Sequence, residues 1–168
     1  MIEFKKYLHF LPIKSDFFLR LSHFYCHNNK KRAHLEVKMR KIGVYLLCFV
    51  SGSILYPVIE ILFRGYTHVS MGILGGICLC AIYFVHECMK KGRLIPKAIL
   101  SAVLITQLEF ICGVIVNLAL GLSVWDYSDR PLNLAGQICP LFSFFWFLLS
   151  LIPLLSFEKV SKQRKLHS

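Results

Sequence analysis

Four apolar stretches follow one another along the chain, residues 42–63, 69–89, 98–120 and 134–157, with short polar segments between them. Each holds about 21 to 24 residues, or roughly 32–36 Å as a helix, and a hydrocarbon core is ~30 Å thick. Inside lipid every backbone N–H and C=O must find a partner within the chain, so apolar runs of this length are helices. The period-two alternation that marks a membrane barrel is absent. The pattern predicts an all-α membrane protein of four transmembrane helices, folded as two hairpins of the same, parallel orientation.

Ahead of these runs, Phe17, Phe18, Leu21, Phe24 and Tyr25 recur at the spacing of one helix face. Ser15 stands where a cap belongs, and Lys30, Lys31 and Arg32 follow. A stripe of this kind beside basic residues predicts an amphipathic helix lying on the inner membrane surface. A poorly ordered basic tail is the other reading of the same residues. The domain organisation is then a basic cytoplasmic segment, 1–41, a four-helix membrane domain, 42–157, and a basic cytoplasmic tail, 158–168.

Charge gives the helices a direction. Of 20 Lys and Arg, all but Arg64 and Arg130 fall in residues 5–41, 90–97 and 159–165. If the four runs span, these clusters share one side of the membrane and the two remaining arginines share the other. Basic loops stay cytoplasmic, so both termini are expected inside, N-in and C-in. The net charge of +11 follows mostly from that rule. With no zinc-finger or RNA-binding motif, nucleic acid is not an expected partner, and the lipid bilayer is.

A hydrophobic share of 56% with 17% charge excludes an ordinary soluble domain. The cysteines Cys26, Cys48, Cys78, Cys80, Cys88, Cys112 and Cys139 lie mostly within or at the ends of the spans and read as free thiols packing like small hydrophobes. Cys78 and Cys80 have no second pair at zinc-site spacing, and His86-Glu87 lacks a second His four residues after the first. Neither a metal nor a cofactor is expected. There is no Gly-x-x-x-x-Gly-Lys-Ser/Thr phosphate loop, and Ser70 and Ser128 have no base in a fixed motif. The chain reads as a non-enzyme. The first apolar run is too long for a signal-peptide core and is expected to remain as an anchor.

Candidate functional residues are the polar ones that lipid makes expensive. Glu109 falls near the middle of the third run, with Gln107 and Asn117 on the same helix. An ionisable group at that depth costs on the order of 2.5–3.5 kcal/mol on insertion scales, which points to a binding or pathway role. Glu60 precedes Arg64 by one helical turn, the spacing of an interfacial ion pair. His68 lies in the same outer loop. The second outer loop, 121–133, carries Trp125, Asp126 and Tyr127, with Asn133 placed to cap the fourth helix. Its acids suit either a cation or a self-bonded turn. Pro57 and Gly52 predict a kink in the first span, and Gly72, Gly76 and Cys80 a small-residue ridge for close helix packing. Glu60 followed by Gly75–Cys78 and Glu109 followed by Gly136, Gln137, Ile138 and Cys139 form a faint internal echo.

Taken together, Glu60 through Gly72, Gly75-Gly76, Glu109 through Gly113, Trp125-Asp126-Tyr127-Ser128, Pro131, Asn133 and Gly136 through Cys139 resemble a bacterial membrane family, the one labelled "putative ABC-transporter type IV". The resemblance covers about residues 42–157. It implies a multi-pass protein of the bacterial plasma membrane and a permease-like transport component. Since the chain has no nucleotide-binding domain and four helices are few for a solute path, it would act with a separate ATPase subunit or as a homo-oligomer. Its site residues would be Glu60, Arg64, His68, Glu109, Asn117, Trp125, Asp126, Tyr127, Asn133 and Gln137. A membrane scaffold or accessory protein is the alternative, and a membrane-embedded enzyme of envelope metabolism a more distant one.

Overall fold

The structure, a computed structural model, describes the backbone of residues 15–166 and, apart from residues 164 and 165, the side chains from residue 35 to residue 166. The chain divides into two units, Met1–Val44 and Tyr45–Ser168. Four helices account for most of it: α1 (Ser15–Arg64), α2 (Val69–Cys88), α3 (Leu94–Gly113), which runs on into a π-helical segment (Val114–Ala119), and α4 (Pro140–Leu166). Four segments are long and apolar enough to cross a membrane: Leu35–Arg64, Val69–Cys88, Leu94–Ala119 and Pro140–Gln163. Among the described residues there is no strand, only an isolated bridge between Leu134 and Ile138. The described residues are all-helical, as apolar runs of this length require in lipid.

Several boundaries differ from the sequence pattern. Helical backbone begins at Ser15, so the residues expected to form an amphipathic helix are helical, while the stripe from Phe17 to Tyr25 lies outside the described side chains. The last helix starts at Pro140 rather than at residue 134. Leu132, Ala135 and Gly136 have φ of 56°, 52° and 68°, left-handed values that no helix tolerates. Proline suits the first helical position because its missing N–H is not needed there. At the far end α4 continues to Leu166 through the basic tail. Pro57 lies inside α1 without ending it.

Within the second unit, small residues bring α1 and α2 into backbone contact. A Cβ on Gly75 would lie 2.7 Å from the Gly52 carbonyl oxygen, and one on Gly76 would lie 2.8 Å from that of Phe49. Any larger side chain has to push the helices apart. One turn farther on, Cys80 Sγ donates to the Tyr45 carbonyl at 3.4 Å. The glycine ridge thus does what its spacing predicts. Leu74, Cys78 and Ile82 of α2 pack with Ala98, Ala102 and Ile105 of α3 and with Trp146 and Leu154 of α4.

The end of this unit near the α2–α3 turn is closed by polar links. Lys97 is 1% exposed, and its Nζ donates to Glu158 Oε1 at 2.9 Å. His86 Nε2 shares a hydrogen bond with Ser161 Oγ at 3.1 Å. Both bonds tie the extension of α4 to the α2–α3 hairpin. The internal echo dissolves at this level: Gly75–Cys78 is the middle of α2, whereas Gly136–Cys139 is non-helical.

A buried carboxylate closed by a re-entering loop

The buried face of α3 carries Ile105, Glu109 and Gly113 at one-turn intervals. Glu109 is 1% exposed. Its Oε2 accepts from the indole Nε1 of Trp146 at 2.7 Å, and its Oε1 accepts from the Tyr127 hydroxyl at 3.1 Å. Trp146 is held by stacking on Tyr56, with ring centroids 5.5 Å apart. Tyr127 stacks on Phe142 at 4.4 Å. Both donors are neutral. A phenol can donate to a carboxylate or accept from a carboxylic acid, so the site accommodates Glu109 with or without its proton.

Tyr127 belongs to the segment between the π segment and α4, and this segment turns back against the helices. Its Val124 and Trp125 are buried and pack with Met71 of α2 and Val116 of the π segment. Asn117 organises the return. Its Nδ2 donates to the Trp125 carbonyl at 3.0 Å and to Gln137 Oε1 at 2.8 Å, and its Oδ1 accepts from Val124 N at 2.7 Å. Trp125 Nε1 then donates to the Gln137 carbonyl at 3.0 Å, and Gln137 Nε2 to the Ala135 carbonyl at 3.0 Å. Buried amides and indoles are expensive unless bonded, and all of these are bonded. Gly113 makes the approach possible, because a Cβ there would run into the Gln137 side chain and lie 3.1 Å from Trp125. The π segment, a wider turn than the α-helix, places Asn117 opposite the loop.

The Glu60–Arg64 pair forms as its spacing predicts, and it also reaches the loop. Arg64 Nη2 pairs with Glu60 Oε1, while Nη1 donates to the Val124 carbonyl at 3.2 Å. The other carboxylate oxygen of Glu60 accepts from Thr67 Oγ1. Glu60 is buried, and the guanidinium lies 4.9 Å from the centre of the Tyr66 ring.

Not all the expected residues join this assembly. His68 is exposed and caps α2, its Nδ1 accepting from Ser70 N at 3.2 Å; Thr67 fills the position beside Glu60 instead. Asp126 is also exposed and bonds within its own turn, its Oδ1 accepting from Ser128 Oγ at 2.6 Å and from Ser128 N at 2.9 Å. Those bonds hold its carboxyl below the ordinary range. For Tyr127, burial first and then the nearby Glu109 carboxylate push the phenol upward, which keeps it a donor. Asn133 does not cap α4. It braces the loop, donating to the carbonyls of Ser128 at 3.1 Å and Arg130 at 2.8 Å and accepting from Gly136 N at 3.0 Å.

Trp146, Tyr56 and Thr67 complete the site, yet the sequence reading did not single them out. Trp146 sits amid apolar residues of α4, and nothing local signals that its indole faces Glu109, 37 residues away. Among the described residues no group of three or more His, Cys, Asp or Glu comes together to hold a metal ion. The chemistry available is that of one buried carboxyl, two neutral donors and a loop anchored on α1, α3, the π segment and α4.

A family model described as "Putative ABC-transporter type IV" matches residues 42–166, which takes in the site and α4 to its end. No curated relative and no solved structure matches the chain.

Proposed function

The chain belongs to the "Putative ABC-transporter type IV" family, and on that premise we propose that it is a small permease-like subunit of the bacterial plasma membrane. Membership and four span-capable helices make it a membrane protein with a transport-related role. In the finer proposal, both termini are cytoplasmic, as the basic clusters require. The chain carries no Gly-x-x-x-x-Gly-Lys-Ser/Thr phosphate loop, and in this proposal a separate ATPase subunit supplies the energy.

The observation that carries the proposal is the position of Glu109. Its carboxyl is buried near the middle of the span Leu94–Ala119, and one of its two donors, Tyr127, sits on a loop. Displacing that loop breaks one hydrogen bond to the acid and leaves the carboxyl open to a proton, a cation or a polar solute from the Trp125–Asn133 side. Glu60 and Arg64 hold the closed position through Val124. Asn117 and Gln137 do so through the buried hydrogen bond between their side-chain amides. His68 and Asp126 face outward and suit the entrance rather than the path.

A tagged chain purified from membranes in mild detergent should bring down an ATPase subunit in fixed ratio. Glu109→Gln should insert and bind that subunit normally while lowering its chain-dependent ATP turnover roughly tenfold, the equivalent of losing one ~1.5 kcal/mol charge-assisted hydrogen bond. A chain that elutes without an ATPase, and whose Glu109→Gln variant only melts at lower temperature, would favour a membrane scaffold. That second reading draws on the hydrogen bonds that tie Asn117, Trp125 and Gln137 to one another, which is also what a permanent lock requires.

A further inference from the structure

Gln107 stands out on the face of α3 turned away from Glu109. It is exposed and lies midway along the span Leu94–Ala119, the depth at which a primary amide has only hydrocarbon around it. Its neighbour Thr106 is bonded to Ser143 Oγ at 3.0 Å, but nothing among the described residues hydrogen-bonds Gln107. An amide left so in lipid is costly, and such residues in membrane helices usually bond across a helix–helix contact. Beside it an open groove of about 350 Å³ runs between α3 and α4, lined by Ile99, Ala102, Val103, Thr106, Ser143 and Phe147 together with Gln107.

We propose that this face is where a second copy of the chain docks, with the two Gln107 amides paired across a two-fold axis. A two-fold interface brings the same patch of both subunits together, so the patch must complement itself. A primary amide does so by nature, offering an N–H donor and a C=O acceptor side by side. A copy of this chain also presents its amide at the same membrane depth. An acyl chain can fill the groove but offers no partner for the amide. Val103 and Ile99 stand one and two turns before Gln107 and line the groove with it.

The inference rests on the chain spanning the membrane and not on what it transports. The test uses the full-length chain in lipid vesicles, followed by single-molecule photobleaching counts and oxidative crosslinking. Wild type should count as dimers. Val103→Cys, which keeps the amide, should form a disulfide-linked dimer that neither wild type nor Ile73→Cys forms, Ile73 being exposed on α2. Gln107→Leu should weaken dimerisation roughly 3- to 30-fold, the range measured for interhelical polar contacts in membranes, and Gln107→Asn should recover part of it. Monomers of a membrane-inserted wild type would overturn the proposal and leave the spanning architecture intact. Dimers indifferent to Gln107→Leu, or a Val103→Cys crosslink to a different protein in native membranes, would overturn it as well. Protein that floats free of the vesicles would instead undo the spanning architecture and the proposal together.

Discussion

Lys97 shows what a single residue can hide. It belongs to a basic cluster whose evident job is to orient the chain, yet it is 1% exposed and bonded to Glu158, 61 residues away. Removing one partner of a buried pair leaves a charge without compensation. Glu158→Gln is therefore expected to destabilise the protein by about 3 kcal/mol, with Lys97→Met/Glu158→Gln recovering much of the loss. Thermal unfolding in detergent checks this, and a Glu158→Gln variant that melts with the wild type would show that the pair contributes nothing. Glu60–Arg64 was legible in the sequence because its partners are one turn apart. Lys97–Glu158 and Glu109–Trp146 were not, because no spacing rule reaches across 61 or 37 residues. His68, a site candidate from the same outer loop, stays outside the site: the turn after Arg64 brings Thr67 to Glu60 and uses the imidazole to cap α2.

At the scale of elements, the length of the apolar runs located all four helices but misread residues 134–139. Gly136, Gln137 and Cys139 are buried where the loop turns inward, whereas Leu134 and Ala135 are exposed ahead of the turn. Three left-handed residues and Pro140 keep them out of the helix. Hydropathy alone cannot separate a re-entering loop from the first turns of a span. The glycine ridge was read correctly because close packing needs small residues at fixed intervals. Gly75→Leu should leave membrane insertion unchanged while lowering stability by on the order of 2–3 kcal/mol, since the added side chain meets Tyr56 and the Gly52 backbone. Ile73→Leu, on the exposed side of the same helix, should be neutral. Equal unfolding midpoints for the two variants would mean that α1 and α2 are free to separate.

For the whole molecule, one loop gathers contacts from every helix: Arg64 of α1, Met71 of α2, Glu109 of α3 and, through Phe142, α4. That arrangement has a consequence for synthesis. The ribosome makes Glu109 before Tyr127 and Trp146, which follow by 18 and 37 residues. While α3 enters the bilayer, its central acid has neither donor. The burden is about 2.5–3.5 kcal/mol on insertion scales, borne by the apolar residues around it until the chain behind arrives. A nascent chain stopped after residue 120 should therefore hold α3 in the membrane less completely than one stopped after residue 166. Glu109→Leu should erase the difference, as glycosylation-site mapping in microsomes would reveal. The acid is born unpaired, and the last helix completes the third.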